Sequence, residues 1–216
     1  MPELTRYTAK SDTRNVSQLY HWSSRWNFCL CSPVVGLMLI MPASVLQLAF
    51  GRNWVIMSTP LKILMLGMGI HLAFGLNGLV LDAYAQVRSI VVRLVVSIFI
   101  SVGACVILIP KFDVVGAAWA TVLAITASNI FCSIQIFMNF KILPWDISMF
   151  ATCLAFVAVI AGGFMIFRDQ IYSVTWMCCV ALLIGMITTG VSLIFTPKDA
   201  KRLFSMLCGR AKAIFN

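Results

Sequence analysis

Acidic side chains are scarce in this 216-residue chain: seven aspartates and glutamates stand against sixteen lysines and arginines. They are scattered at loop positions, with no paired carboxylates and no DxxD cluster to hold the Mg²⁺ that phosphoryl transfer requires. Histidine is scarcer still. A Ser/His/Asp set would need a histidine, and the only two, His21 and His71, fall at the expected membrane interface and mid-span; neither stands at zinc-ligand spacing. The eight cysteines (Cys29, Cys31, Cys105, Cys132, Cys153, Cys178, Cys179 and Cys208) form no CxxC pair. All but one lie in apolar blocks, as small side chains that pack between helices do. No phosphate-binding P-loop or glycine-rich dinucleotide turn is present, and Gly67-x-Gly69 falls inside a hydrophobic run. No catalytic residue, no metal and no cofactor is expected from this inventory.

What fills the chain instead is hydrocarbon. Hydrophobic residues make up 61% and charged residues 11%, against about 45–50% and about 25% in soluble domains. The apolar residues form blocks of roughly 20, the length that crosses a hydrocarbon core of about 30 Å. Six helical spans are expected, at 28–50, 60–84, 89–109, 115–138, 147–167 and 173–195. Strand-like composition around Ile90, Val91, Val92, Val95 and Val96 does not alter this, because only a helix closes its own backbone hydrogen bonds in lipid. The chain divides into a cytoplasmic juxtamembrane segment (1–27), a six-helix transmembrane lobe (28–195) and a cytoplasmic basic tail (196–216). The first apolar block, starting near Phe28, is too long for a signal-peptide core and reads as an uncleaved anchor.

The cations set the orientation. Arg6, Lys10, Arg14, Arg25, Arg88, Arg93, Lys141, Lys198, Lys201, Arg202, Arg210 and Lys212 fall on one side, and Arg52, Lys62, Lys111 and Arg168 on the other. The richer side is the cytoplasmic one, which places both termini there. An even number of spans requires the same. Tyr20, Trp22, Trp26 and Trp145 sit at the expected inner boundary, and Trp54 and Trp176 at the outer one. In the tail, Leu203, Phe204, Leu207, Ile214 and Phe215 share a helical face turned from Lys201, Arg202, Arg210 and Lys212, so it reads as a helix in the headgroup layer. The formal charge of +9 therefore faces anionic membrane lipids, and no nucleic-acid partner is expected.

Three segments narrow the class. Leu108, Ile109, Pro110 and Lys111 close one apolar helix, and after Phe112 and Asp113 the chain re-enters through Gly116, Ala117, Ala118, Ala120 and Thr121. Small residues at that spacing let helix backbones approach, and Gly116, Ala117 and Ala120 are the expected packing positions. The second segment runs Phe50-Gly51-Arg52-Asn53-Trp54, then Pro60-Leu61-Lys62-Ile63-Leu64, then Asn77-Gly78; the third is Thr196-Pro197-Lys198-Asp199 with Lys201 and Arg202. Together with the opening Met1-Pro2-Glu3-Leu4 and Tyr7, this order resembles the carboxy-terminal half of the polysaccharide and O-antigen flippases. These belong to the multidrug/oligosaccharidyl-lipid/polysaccharide exporter superfamily. Asp113 stands where that hairpin commonly has glycine.

The resemblance implies one lobe of a two-lobe, all-α transporter of the bacterial cytoplasmic (inner) membrane. Such a lobe moves lipid-linked oligosaccharide between leaflets, and its partner is a missing amino-terminal lobe or a second copy. A fragment or split gene product is the expectation. Polar groups within the spans are then candidates for the substrate cavity: His71, Asn77, Arg93 and Asn129. Satisfaction by interhelical hydrogen bonds is the alternative for each. Two other functions stay open, a drug or cation exporter of the same superfamily and a non-transporting membrane scaffold that docks glycan-assembly enzymes.

Overall fold

A backbone surrounded by lipid has to close its own hydrogen bonds, and the apolar runs do so as helices. The structure, a computed structural model, describes residues 13–75, 77–78, 87–140, 147–166 and 174–195. These form α1 (Thr13–Ile40), α2 (Pro42–Phe50), a 3₁₀ turn (Arg52–Met57), α3 (Ser58–Ala73), α4 (Val87–Phe140), α5 (Ile147–Ile166) and α6 (Val174–Phe195). The opening segment 1–12, the tail 196–216, Lys141, Trp145 and Arg168 lie outside the described residues.

Two expected spans are corrected. The block at 28–50 is not one helix, since α1 and α2 meet at 95° across Met41. The cause is Pro42, which has no N–H and drives the preceding residue out of the α region; Met41 sits at φ −126°, ψ 53°. The stretch Tyr20–Ile40 is about 30 Å long by itself, so α2 lies across the end of α1 and does not extend it. The block at 60–84 is interrupted. α3 ends at Ala73, and Gly75 follows at φ 70°. Its N–H bonds Leu72 O at 3.0 Å, the left-handed glycine stop of a helix end. The chain is helical again at Asn77 and Gly78.

α4 is two helical legs joined at a kink. Asp113 is non-helical (φ 48°, ψ −127°). Arg93 Nη1 lies 3.5 Å from Cys132 Sγ although the two are 39 residues apart, a separation of about 58 Å along a straight helix. A Cβ on Gly116 would stand 2.3 Å from Leu108 O. Both pairs are centred within one residue of Asp113, so the legs 87–112 and 114–140 lie antiparallel. The hairpin expected at 108–121 is therefore present, and glycine at 116 lets the legs touch backbone to backbone. Gly116, Ala120 and Ala124 are buried at i, i+4 spacing on one face, and Ala118, Val122 and Asn129 are buried towards α3. Ala117 is half-buried.

α1 is the central helix, packed against α3, α5 and α6, while α4 packs on α3 and α5 on α6. Contacts give the directions. Against α1, α3 is antiparallel (Tyr20 to Asn77, Val35 near Gly69) and so is α6 (Cys29 to Thr188, Ile184 over Gly36). α5 is parallel to α1 (Arg25 to Ser148, Ile40 over Gly163), and the second leg of α4 is parallel to α3 (Val122 over Gly67, His71 to Asn129). Successive legs thus alternate. The seam holds Phe28, Val35, Ile40, Leu72, Met149, Phe156, Met177 and Ile184, with Phe28 edge-on to Phe156 at 5.4 Å.

The outside is apolar as well as the seam, and polar side chains lie within. Leu30, Phe99, Val106, Met138, Met186 and Ile194 are exposed, whereas Ser24, Arg25, Ser32, Thr152, Thr188 and Ser192 are buried. This inverts the water-soluble arrangement. Among the described residues, three helices are long and apolar enough to cross a membrane (Arg52–Ala73, Val91–Met138 and Trp176–Ile194), or four if the bent pair is one span. The molecule is all-helical among the described residues and compatible with a multi-pass membrane protein.

Candidate functional site: the polar cluster where α3 breaks

The break after α3 falls where α1 approaches most closely. A Cβ on Gly75 would lie 2.6 Å from Ser24 Oγ and 2.8 Å from Ser24 Cβ, so glycine serves both the positive φ and the contact. Interrupting the helix frees backbone groups that lipid cannot satisfy. Tyr20 supplies one answer: its hydroxyl lies 3.2 Å from Phe74 O. The same hydroxyl donates to Asn77 Oδ1. Asn77 Nδ2 donates to Ser133 Oγ at 2.7 Å, and Ser133 Oγ donates to Asn129 O at 2.9 Å. Three elements are thereby tied together at the break: α1, the segment after α3, and the second leg of α4.

Beside this chain of bonds lie the remaining candidates. His71 Nδ1 is 3.1 Å from Asn129 Oδ1. Asn129 is 6% exposed, and its Nδ2 is buried with no hydrogen-bond partner. His71 itself is exposed beside it. Arg93 crosses from the first leg of α4 to Cys132 Sγ, its Nη1 lying against Gly78. Because Cys132 stands between Asn129 and Ser133 on one helical turn, Arg93 belongs to the same cluster.

All four residues singled out in the sequence, His71, Asn77, Arg93 and Asn129, therefore converge. They do so by a different route from the one expected. A continuous helix over 60–84 would place Asn77 about 120° around from His71, by 3.6-residue periodicity. The break at Gly75 cancels that register and carries Asn77 towards Tyr20. Arg93, one turn inside its helix, turns into the bundle towards Cys132.

Sequence reasoning missed Tyr20, Ser24, Ser133 and Arg25. Tyr20 and Ser24 are 1% exposed, although both precede the hydropathy block that begins near Phe28. Their signal is the i, i+4 spacing Tyr20, Ser24, Phe28, which continues the buried face of α1 into a polar stretch. Arg25, grouped with the cytoplasmic cations, is buried against α5 and donates to Ser148 Oγ at 3.0 Å. It opens a second polar seam along α1, α5 and α6, where Ser32 Oγ and Thr188 Oγ1 are 3.0 Å apart.

The chemical character of the cluster is plain: one guanidinium, one imidazole, two carboxamides, three hydroxyls and one thiol, with no carboxylate among its described residues. Such a set holds anionic or hydrated polar groups inside a hydrocarbon surround. No family model matches the chain, and neither curated proteins nor solved structures give a match.

Proposed function

We propose that this chain is one lobe of a polysaccharide-flippase-type transporter, crossing the cytoplasmic membrane six times with both ends inside. The observation that carries the proposal is the helix break at Gly75 seated in a polar cluster within the apolar bundle. Membrane transporters characteristically build substrate sites from interrupted helices, whose unwound backbone lines a cavity with polar side chains. The order of the motifs at 50–64, 108–121 and 196–202 adds support, as does the distribution of cations. The alternating directions of the described legs, with α4 counted as two, support this reading.

In this scheme the headgroup of a lipid-linked oligosaccharide enters at the cluster while its hydrocarbon tail stays in the bilayer. Arg93 faces the phosphate charge and the amide of Asn129 faces hydrated groups, while Asn77, bonded to Tyr20 and Ser133, braces the break. Gly75 is the joint about which the segment carrying Asn77 moves relative to α3. Two lobes rocking about such a site give alternating access, so flipping requires an amino-terminal lobe or a second copy.

The test is retention of a lipid. The full chain in nanodiscs is offered polyprenyl diphosphate carrying one N-acetylhexosamine, with phosphatidylglycerol as the control. Preferential binding is expected, and Arg93→Gln should weaken it roughly tenfold, the scale of one charge-assisted hydrogen bond. Equal retention of the two lipids defeats the proposal.

A further inference from the structure

Resting on that transport reading, we propose that the His71–Asn129 pair is a sugar-recognition subsite, selecting a group that donates and accepts a hydrogen bond at once.

The argument starts from the inventory of the two side chains. A carboxamide offers an acceptor oxygen and a donor nitrogen; a neutral imidazole offers one donor and one acceptor nitrogen. In the pair, Asn129 Oδ1 faces His71 Nδ1 at 3.1 Å, which makes Nδ1 the donor and leaves Nε2 as an acceptor. Asn129 Nδ2 remains a buried donor with no partner, on a residue 6% exposed. One donor and one acceptor are therefore left over. Turning the amide over exchanges the roles: Nδ2 would donate to Nδ1, Oδ1 would be the buried orphan acceptor, and Nε2–H the donor. The remainder is again one of each, so the conclusion does not depend on amide orientation.

A phosphate oxygen can only accept, and satisfies half of that remainder. A sugar hydroxyl, or the acetamido group of an N-acetylated sugar, satisfies both halves. The position fits this division of labour. Arg93 reaches Cys132, one turn beyond Asn129 on the same leg, so charge and hydroxyl recognition sit side by side. His71 is exposed and the amide of Asn129 is buried beside it. The buried orphan is the group that a ligand reaching past the ring would satisfy.

The experiment compares polyprenyl diphosphate bearing one N-acetylhexosamine with sugar-free polyprenyl diphosphate, on the full chain in nanodiscs. The wild type should bind the sugar-bearing lipid roughly tenfold more tightly, the scale of one to two hydrogen bonds. Asn129→Leu and His71→Phe should erase the difference and leave the sugar-free lipid unaffected. Two further variants separate hydroxyl reading from charge. His71→Gln, neutral with both a donor and an acceptor, should keep the preference; His71→Lys, a donor only, should lose it. Retention by Lys with loss in Gln overturns the subsite as a sugar reader. Equal binding of both diphosphate lipids by the wild type overturns it while sparing the transport reading, whereas no binding of either overturns both.

Discussion

At the scale of single residues, Asp113 carries the clearest strain. A side chain at φ 48°, ψ −127° occupies a region that glycine enters freely and others enter at a cost of about 1–3 kcal/mol. Asp113→Gly should therefore stabilise the protein by about 1 kcal/mol or more, read as a higher midpoint in SDS titration from mixed micelles. An unchanged or lowered midpoint would show that the carboxylate contributes something the strain argument omits. Asn77 is the converse case, a 1% exposed amide bonded on both sides. A double-mutant cycle of Tyr20→Phe and Asn77→Ala should return a coupling of about 0.6–1.7 kcal/mol, the range of interhelical hydrogen bonds in membranes. Additivity would mean that the bond is not formed in the bilayer.

At the scale of elements, the legible and the illegible divide along physical lines. The hairpin at 108–121 was readable because its determinants are local: Pro110 near a helix end, then Gly116 and alanines at backbone-contact spacing. Its packing predicts that Gly116→Ala forces the legs apart, with a loss of about 1–3 kcal/mol. Gly103→Ala meets nothing within 4 Å and serves as the neutral comparison. Equal effects of the two on an SDS midpoint would contradict the close approach. The breaks at Met41 and Gly75 were less visible, since hydropathy runs on through both. Pro42 gave a signal that a hydropathy window averages away, and the need for glycine at 75 comes from Ser24, fifty-one residues distant on another helix. The membership of the polar cluster was readable for the same reason that its wiring was not. Polar residues inside apolar runs stand out singly, but which ones meet depends on the break.

At the scale of the whole molecule, the alternating legs and the cation distribution make one joint prediction. A cysteine placed at Lys111, at the tip of the α4 hairpin, should react with an impermeant maleimide on intact cells, in a background without the native cysteines. One at Lys141 should react only after the membrane is opened. Reversed labelling would invert the orientation, and labelling of both from outside would remove the hairpin from the membrane.

The first leg of α4 has a consequence of its own. From Val91 to Val115 none of its residues is buried, and Val91, Leu94, Ile98, Phe99, Val102 and Val106 all look outward. Its inward face is a half-buried stripe, Val96, Ser97, Ile100, Ser101, Ala104 and Cys105, running between the reach of Arg93 at one end and the elbow at Leu108 and Gly116 at the other. On the outward face the sequence specifies a solvent and not a fit. That face should therefore tolerate wholesale exchange of one oily side chain for another, whereas the stripe should not.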